Sequence, residues 1–225
     1  MRKIYGILNI VLSFIVLSLD AIYACVGGLW LKGLTSFSFV VIGIVNMYYV
    51  VKTNSTERKF GIIMLIGLVF AMLGDIVLNI YFIGGAVLFA IGHVFYLIAY
   101  CALSSYKWTD LIASSIIFIP SVLIITLVPI FDFGGILMEM VCIIYALIIS
   151  TMVGKAISNL IKTRNIVNIV IVIGSALFFF SDLMLLLNVF GGLPRVIDIL
   201  CIATYYPAQC LLASSLYFVA MKYSK

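Results

Sequence analysis

The sequence predicts an all-α protein, a polytopic membrane helix bundle of eight transmembrane helices, and three observations lead there. Hydrophobic residues make up 66% of the 225 positions, charged residues only 9%, and the mean hydropathy is +1.35. A soluble domain of this length cannot hide so much apolar surface. The apolar residues also fall into eight runs near the ~20 residues needed to cross a hydrocarbon core about 30 Å thick. Because lipid offers backbone groups no water, each run has to be a helix.

In chain order the spans are expected at roughly 4–20, 33–51, 60–80, 85–104, 110–130, 135–154, 166–189 and 197–220. Together they make a single transmembrane domain over 1–225 and leave no room for a soluble one. The first span follows a basic start, Arg2-Lys3. The second opens behind Lys32 and closes at the polar stretch "KTNSTERK" (52–59). The third and fourth are separated by Gly84-Gly85, the fifth and sixth by Gly134-Gly135, and the last two by Gly191-Gly192. "KTRN" (162–165) divides the sixth from the seventh. Pro120 and Pro207 lie inside the fifth and eighth spans and predict kinks there.

Charge placement orients the bundle. With a cytoplasmic N-terminus, eleven of the thirteen Lys and Arg residues fall inside, and only Lys32 and Arg195 fall outside. That bias predicts an integral protein, of a bacterial cell membrane, with both termini cytoplasmic. It also explains the net charge of +5 without nucleic acid as a partner. The five cysteines sit in or beside apolar runs without paired spacing, so free, buried thiols are expected and no disulfide framework.

One internal similarity stands out. "GDIVLNIYFIGG" (74–85) aligns without gaps on "SDLMLLLNVFGG" (181–192), at an offset of 107 residues, close to half the chain. A 4+4 duplication with parallel halves would account for it. Chance likeness between two apolar helices is the rival.

The alignment pairs the two most costly residues of the chain, Asp75 and Asp182. At a rise of 1.5 Å per residue they stand roughly 22 and 24 Å from the inner boundary, in the outer half of the membrane. His93, the one histidine, lies about 12 Å below the outer boundary on the returning helix. Tyr96 follows at i+3, on the same face. Tyr205, Tyr206 and Gln209 occupy similar depths on the last helix, Asn79 follows Asp75 by one turn, and Glu139 and Lys32 stand near outer helix ends. A single buried amide or tyrosine is ordinarily interhelical packing. An intramembrane carboxylate usually marks a function.

One His and no clustered Cys exclude a three-His or His/Cys metal site, so no metal and no cofactor is expected. An Asp/Asp/His ion site stays open as a minority reading. No serine sits at a nucleophile elbow. Two opposed carboxylates suit hydrolysis of an ether or acetal-type bond, one donating a proton and the other handling water or a developing cation. The reading from another class is a non-catalytic lipid or small-molecule carrier, a proton-coupled transporter, using the same acids.

The segment "GDIVLN…GGAVLFAIGHVFYLIAY" (74–100) resembles the GD-x-x-L … F-x-x-G … F-x-x-x-H-x-x-Y core of the YhhN/lysoplasmalogenase family. "LWLKGL" (29–34), "YALIISTM" (145–152), "ALFFFSDLMLLLNVF" (176–190) and "TYYPAQCLL" (204–212) are similar to its other blocks, in its order. The chain departs at Gly33, where the family commonly has Pro, which is expected to loosen that helix start. The resemblance implies an eight-helix ether-bond hydrolase acting on the vinyl ether of lysoplasmalogens. Its products would be a fatty aldehyde and glycerophospho-ethanolamine or -choline. Asp75 and Asp182 would then be the acid–base pair, in either order, with His93 and Tyr96 orienting a carboxylate or water. Lys32 and Arg195 would meet the lipid phosphate, and the alkenyl chain would lie in an apolar groove. The expected partners are a lysophospholipid substrate and membrane lipids.

Overall fold

A computed structural model describes residues 1–53 and 57–222. The middle of the 52–59 loop (Asn54 to Thr56) and Lys225, counted above among the inner cations, lie outside the described residues. Eight helices follow one another: α1 (Arg2–Val26), α2 (Leu29–Lys52), α3 (Arg58–Leu78), α4 (Phe82–Leu103), α5 (Trp108–Leu127), α6 (Ile136–Lys162), α7 (Ile166–Val189) and α8 (Arg195–Met221). Each is long and apolar enough to cross a membrane, and no strand occurs among the described residues. Eight consecutive crossings bring both termini to one end, where the Tyr217 hydroxyl donates to the Arg2 carbonyl at 3.3 Å. We call this the terminal end.

The helix boundaries differ from the apolar runs in instructive places. α6 continues eight residues past the expected 154, through Lys155, Ser158 and Lys162. Those three side chains share one helix face at i, i+3 and i+7. All reach Asp110 at the start of α5: Lys155 Nζ lies 2.8 Å from Oδ2, while Lys162 and Ser158 approach Oδ1. Lys155 and Asp110 are fully buried. A hydropathy count scores Lys155 as a loop residue because the acid that accommodates it lies 45 positions away. A charged cluster thus closes the terminal end.

Glycine behaves in two ways. Gly134, Gly135 and Gly192 have positive φ of 65°, 150° and 60° and make turns that other residues adopt with strain. Gly84 and Gly85, expected to separate two spans, lie inside α4, and a Cβ on Gly85 would stand 2.4 Å from the Leu78 Cα. Here glycine permits a close approach of two backbones. α2 begins at Leu29 and runs through Gly33, so the missing proline does not disturb its start. Pro120 and Pro207 likewise stay within continuous helices.

Each helix packs on its successor within the pairs α1/α2, α2/α3, α3/α4, α5/α6, α6/α7 and α7/α8, and α2 meets α8 as α6 meets α4. These neighbours map onto one another under a shift of four helices. The correspondence stops at α8, whose backbone also runs close to α1 and α3; among the described residues the α4 backbone runs close to neither α5 nor α7, and α4 meets α7 through side chains, as in His93 on Asp182 and Tyr100 on Ser175. Among the described residues, the α5 backbone packs closely on α6 alone.

The Asp110 cluster fastens that otherwise loosely held helix. Asp110→Ala should cost about 3–5 kcal/mol, because it leaves Lys155 buried without its anion. Thermal unfolding of the detergent-purified variant measures this. An unchanged midpoint would show that the cluster does not hold α5.

Candidate active site

The end of the bundle opposite the termini holds a polar cavity of about 280 Å³ lined by residues of α1, α2, α3, α4, α7 and α8. Asp75 and Asp182 both line it. Their surroundings differ.

Asp75, in the last turn of α3, is saturated. Its Oδ1 lies 3.0 Å from Lys32 Nζ on α2. Its Oδ2 accepts the Tyr206 hydroxyl of α8 at 2.9 Å and the Ser36 hydroxyl, one turn beyond Lys32. Lys32 is further flanked by the Tyr23 ring of α1 at 5.9 Å. Asn79 closes the helix end by donating to the Asp75 carbonyl at 2.8 Å.

Among the described residues, the basic side chain against Asp182, on α7, is His93. Its Oδ2 accepts the Tyr145 hydroxyl of α6 at 2.7 Å and meets His93 Nε2 of α4 at 3.2 Å. Tyr145 and His93 also touch each other at 2.9 Å. No hydrogen bond among the described residues reaches Asp182 Oδ1, and that oxygen is not among the sequestered polar atoms without a partner. The Phe178 ring stands edge-on against the imidazole, 4.6 Å away.

Asp182 also lines a second, apolar groove of about 290 Å³ between α4, α5, α6 and α7. The groove and the polar cavity share Leu78, Phe82, Phe89, Asp182 and Leu185, so Asp182 is the one polar residue at their junction. The groove occupies the space between the α4 backbone and those of α5 and α7. Exposed groove residues, Ile116 (68%) and Ile124 (38%), open it sideways.

The structure thus brings Asp75, Asp182, Lys32, Asn79, Tyr205 and Tyr206 to one cavity, with His93 directly behind Asp182. Tyr205 takes part through its ring, since its hydroxyl donates to the Ala71 carbonyl at 3.3 Å. Four expectations are corrected. Tyr96 shares the His93 face, but its longer side chain reaches α8 and donates to Gln209 at 2.9 Å instead of touching a carboxylate. Gln209, one turn below Tyr205, is buried beneath the cavity and does not line it. Glu139 does not reach the cavity; six residues of helix turn it about 120° away from the direction of Tyr145. Arg195 is exposed at the first position of α8, a turn outside Asp198, the nearest cavity-lining residue of that helix.

Sequence reasoning missed Ser36, Tyr145, Tyr23 and Asp198. Ser36 was findable, being i+4 from Lys32. Tyr145 stands in a quoted block, yet nothing in its own segment says that it faces an acid 37 residues away.

The fold and site define a class: an integral membrane helix bundle with two carboxylates, each bonded to neighbouring helices, in a cavity at one end joined to an apolar groove. More narrowly, the chain belongs to the YhhN family, whose pattern it matches over residues 32–216, most of its length. No curated protein and no solved structure matches it.

The Lys32–Asp75 pair is a structural as well as a chemical element. Lys32→Met should lower stability by about 3–5 kcal/mol by stranding a buried carboxylate. Adding Asp75→Leu should restore much of the loss. A double-mutant cycle on thermal midpoints in detergent measures the coupling, and additive losses would refute it.

Proposed function

We propose that this protein is a lysoplasmalogenase-like hydrolase that cleaves the vinyl ether bond of lysoplasmalogens. The products are a fatty aldehyde and glycerophospho-ethanolamine or -choline. The observation that carries the proposal is the junction at Asp182, where a polar cavity holding two carboxylates meets an apolar groove. A vinyl ether sits at the corresponding place in the lipid, between hydrocarbon chain and polar head. With the chain in the groove and the head in the cavity, the ether is placed beside Asp182. Membership of the YhhN family supports the same reading.

The chemistry asked of the site is modest. A proton is added to a vinyl carbon, water captures the resulting oxocarbenium ion, and the hemiacetal collapses to aldehyde and alcohol. General acid–base catalysis of this kind contributes about 10²–10⁴-fold. Water is needed once, and the apolar groove keeps it otherwise away from the reacting carbon. Lys32 is occupied by Asp75, so the head-group phosphate meets an ion pair and not a bare ammonium. The charge bias supports cytoplasmic termini and a cavity facing the outer side of the cell membrane.

Purified protein in detergent, given lysoplasmenyl-ethanolamine, should release free aldehyde. Asp75→Asn and Asp182→Asn should each lower release at least about 100-fold while the variants stay folded. Full release by both would rule out the pair. Binding or proton-coupled flux in liposomes without aldehyde would make the protein a carrier instead.

A further inference from the structure

We propose that the two carboxylates have fixed and different tasks: Asp182 delivers the proton to the vinyl carbon, and Asp75 positions the water. The assignment rests on the hydrolase reading above and deepens it.

The geometry is asymmetric in three respects. Both oxygens of Asp75 are already acceptors, one for the Lys32 ammonium and one for two hydroxyls. It is the anion of an ion pair. Asp182 has its donors on Oδ2 alone, which leaves Oδ1 to carry a transferable proton. Asp182 is also the carboxylate that reaches the apolar groove, where the vinyl carbon has to lie; Asp75 lines the polar cavity only. Lys32 has no counterpart in the second half: the position 107 residues on is Glu139, which stays outside the cavity.

The Asp182 Oδ1 proton forms a bond to the vinyl carbon remote from the ether oxygen, and the π electrons leave an oxocarbenium ion. Tyr145 and His93 donate to the Asp182 carboxylate so formed. They are positioning residues. Water held on the Asp75 side bonds to the carbon bearing oxygen, and its proton returns to Asp182. Collapse of the hemiacetal moves the remaining hydroxyl proton to the glycerol oxygen as the carbon–oxygen bond breaks. One water is consumed and both carboxylates return to their starting states.

The test compares deficits on two substrates. A lysoplasmalogen analogue with a methyl group on the ether-bearing vinyl carbon gives a more stable oxocarbenium ion and is easier to protonate. Relative to unchanged protein, Asp182→Asn should be at least about 100-fold slow on the parent, and that deficit should shrink about tenfold or more on the analogue. The deficit of Asp75→Asn should not shrink, because the more stable cation still has to be met by water. Asp182→Glu, which keeps a carboxyl group, should exceed Asp182→Asn by at least about tenfold on the parent. Equal shrinkage, the reverse pattern, or equal silence of Asp182→Glu and Asp182→Asn overturns the assignment. Absence of aldehyde from the unchanged protein overturns the hydrolase reading beneath it, a separable result.

Discussion

Asp75 ties three helices together through one carboxylate. α3 supplies the acid, α2 the Lys32 ammonium and Ser36 hydroxyl, and α8 the Tyr206 hydroxyl. In a bundle surrounded by hydrocarbon there is no water to take over when a partner is lost, so a charged group fixes its neighbours as firmly as it is itself fixed. The same constraint recurs elsewhere. Asp182 joins α7 to α4 and α6, and Asp110 joins α5 to α6 at the terminal end. α1, the helix left over, is held to α2 by the reciprocal Asn9–Asn46 amide pair at 2.7 and 2.8 Å. Apolar packing alone drives membrane helices together weakly, because lipid tails are as apolar as leucine. Position in this bundle is therefore set to a large degree by a few polar contacts.

Those contacts are not evenly shared between the halves. Helix neighbours recur under a shift of four, and each half carries one such aspartate, held from its own half and from the opposite one. Lys32, Ser36 and Tyr206 serve Asp75, while Tyr145 and His93 serve Asp182. The departure from this pattern lies around α4, whose backbone stands off from α5 and α7 where α8 packs closely on α1 and α3. The first half is closed where the second is open, and the apolar groove occupies the opening. The closed half thus keeps a fully partnered ion pair, and the open half keeps a carboxylate with one free oxygen beside an apolar surface.

The sequence carried the number of helices and their order, because eight apolar runs of spanning length leave the backbone no alternative. It also carried Asp75 and Asp182, since a carboxylate in a span is costly enough to stand out. The rotation of each helix about its axis was not legible. Tyr96 sits on the same face as His93 and yet serves α8, and Lys32 was assigned to a lipid phosphate when its partner was an acid 43 residues on. Rotation is decided by pairs of residues on different helices, and a single chain does not display them. The α6 boundary failed for the same cause: Lys155 is hydrophilic to a hydropathy count and neutralised in the fold.

A hydrolase acting on a lipid ether faces opposed demands. The carbon to be protonated belongs in a dry place, where a transferable proton is not lost to solvent, whereas the cation that follows has to find water. One carboxylate in one environment serves both poorly. Placing Asp182 at the edge of the apolar groove and Asp75 within the polar cavity separates the demands in space. Lys32 then gains a reason beyond neutralisation. On the proposed reading, its pairing with Asp75 leaves Asp182, the carboxylate at the groove, as the proton donor.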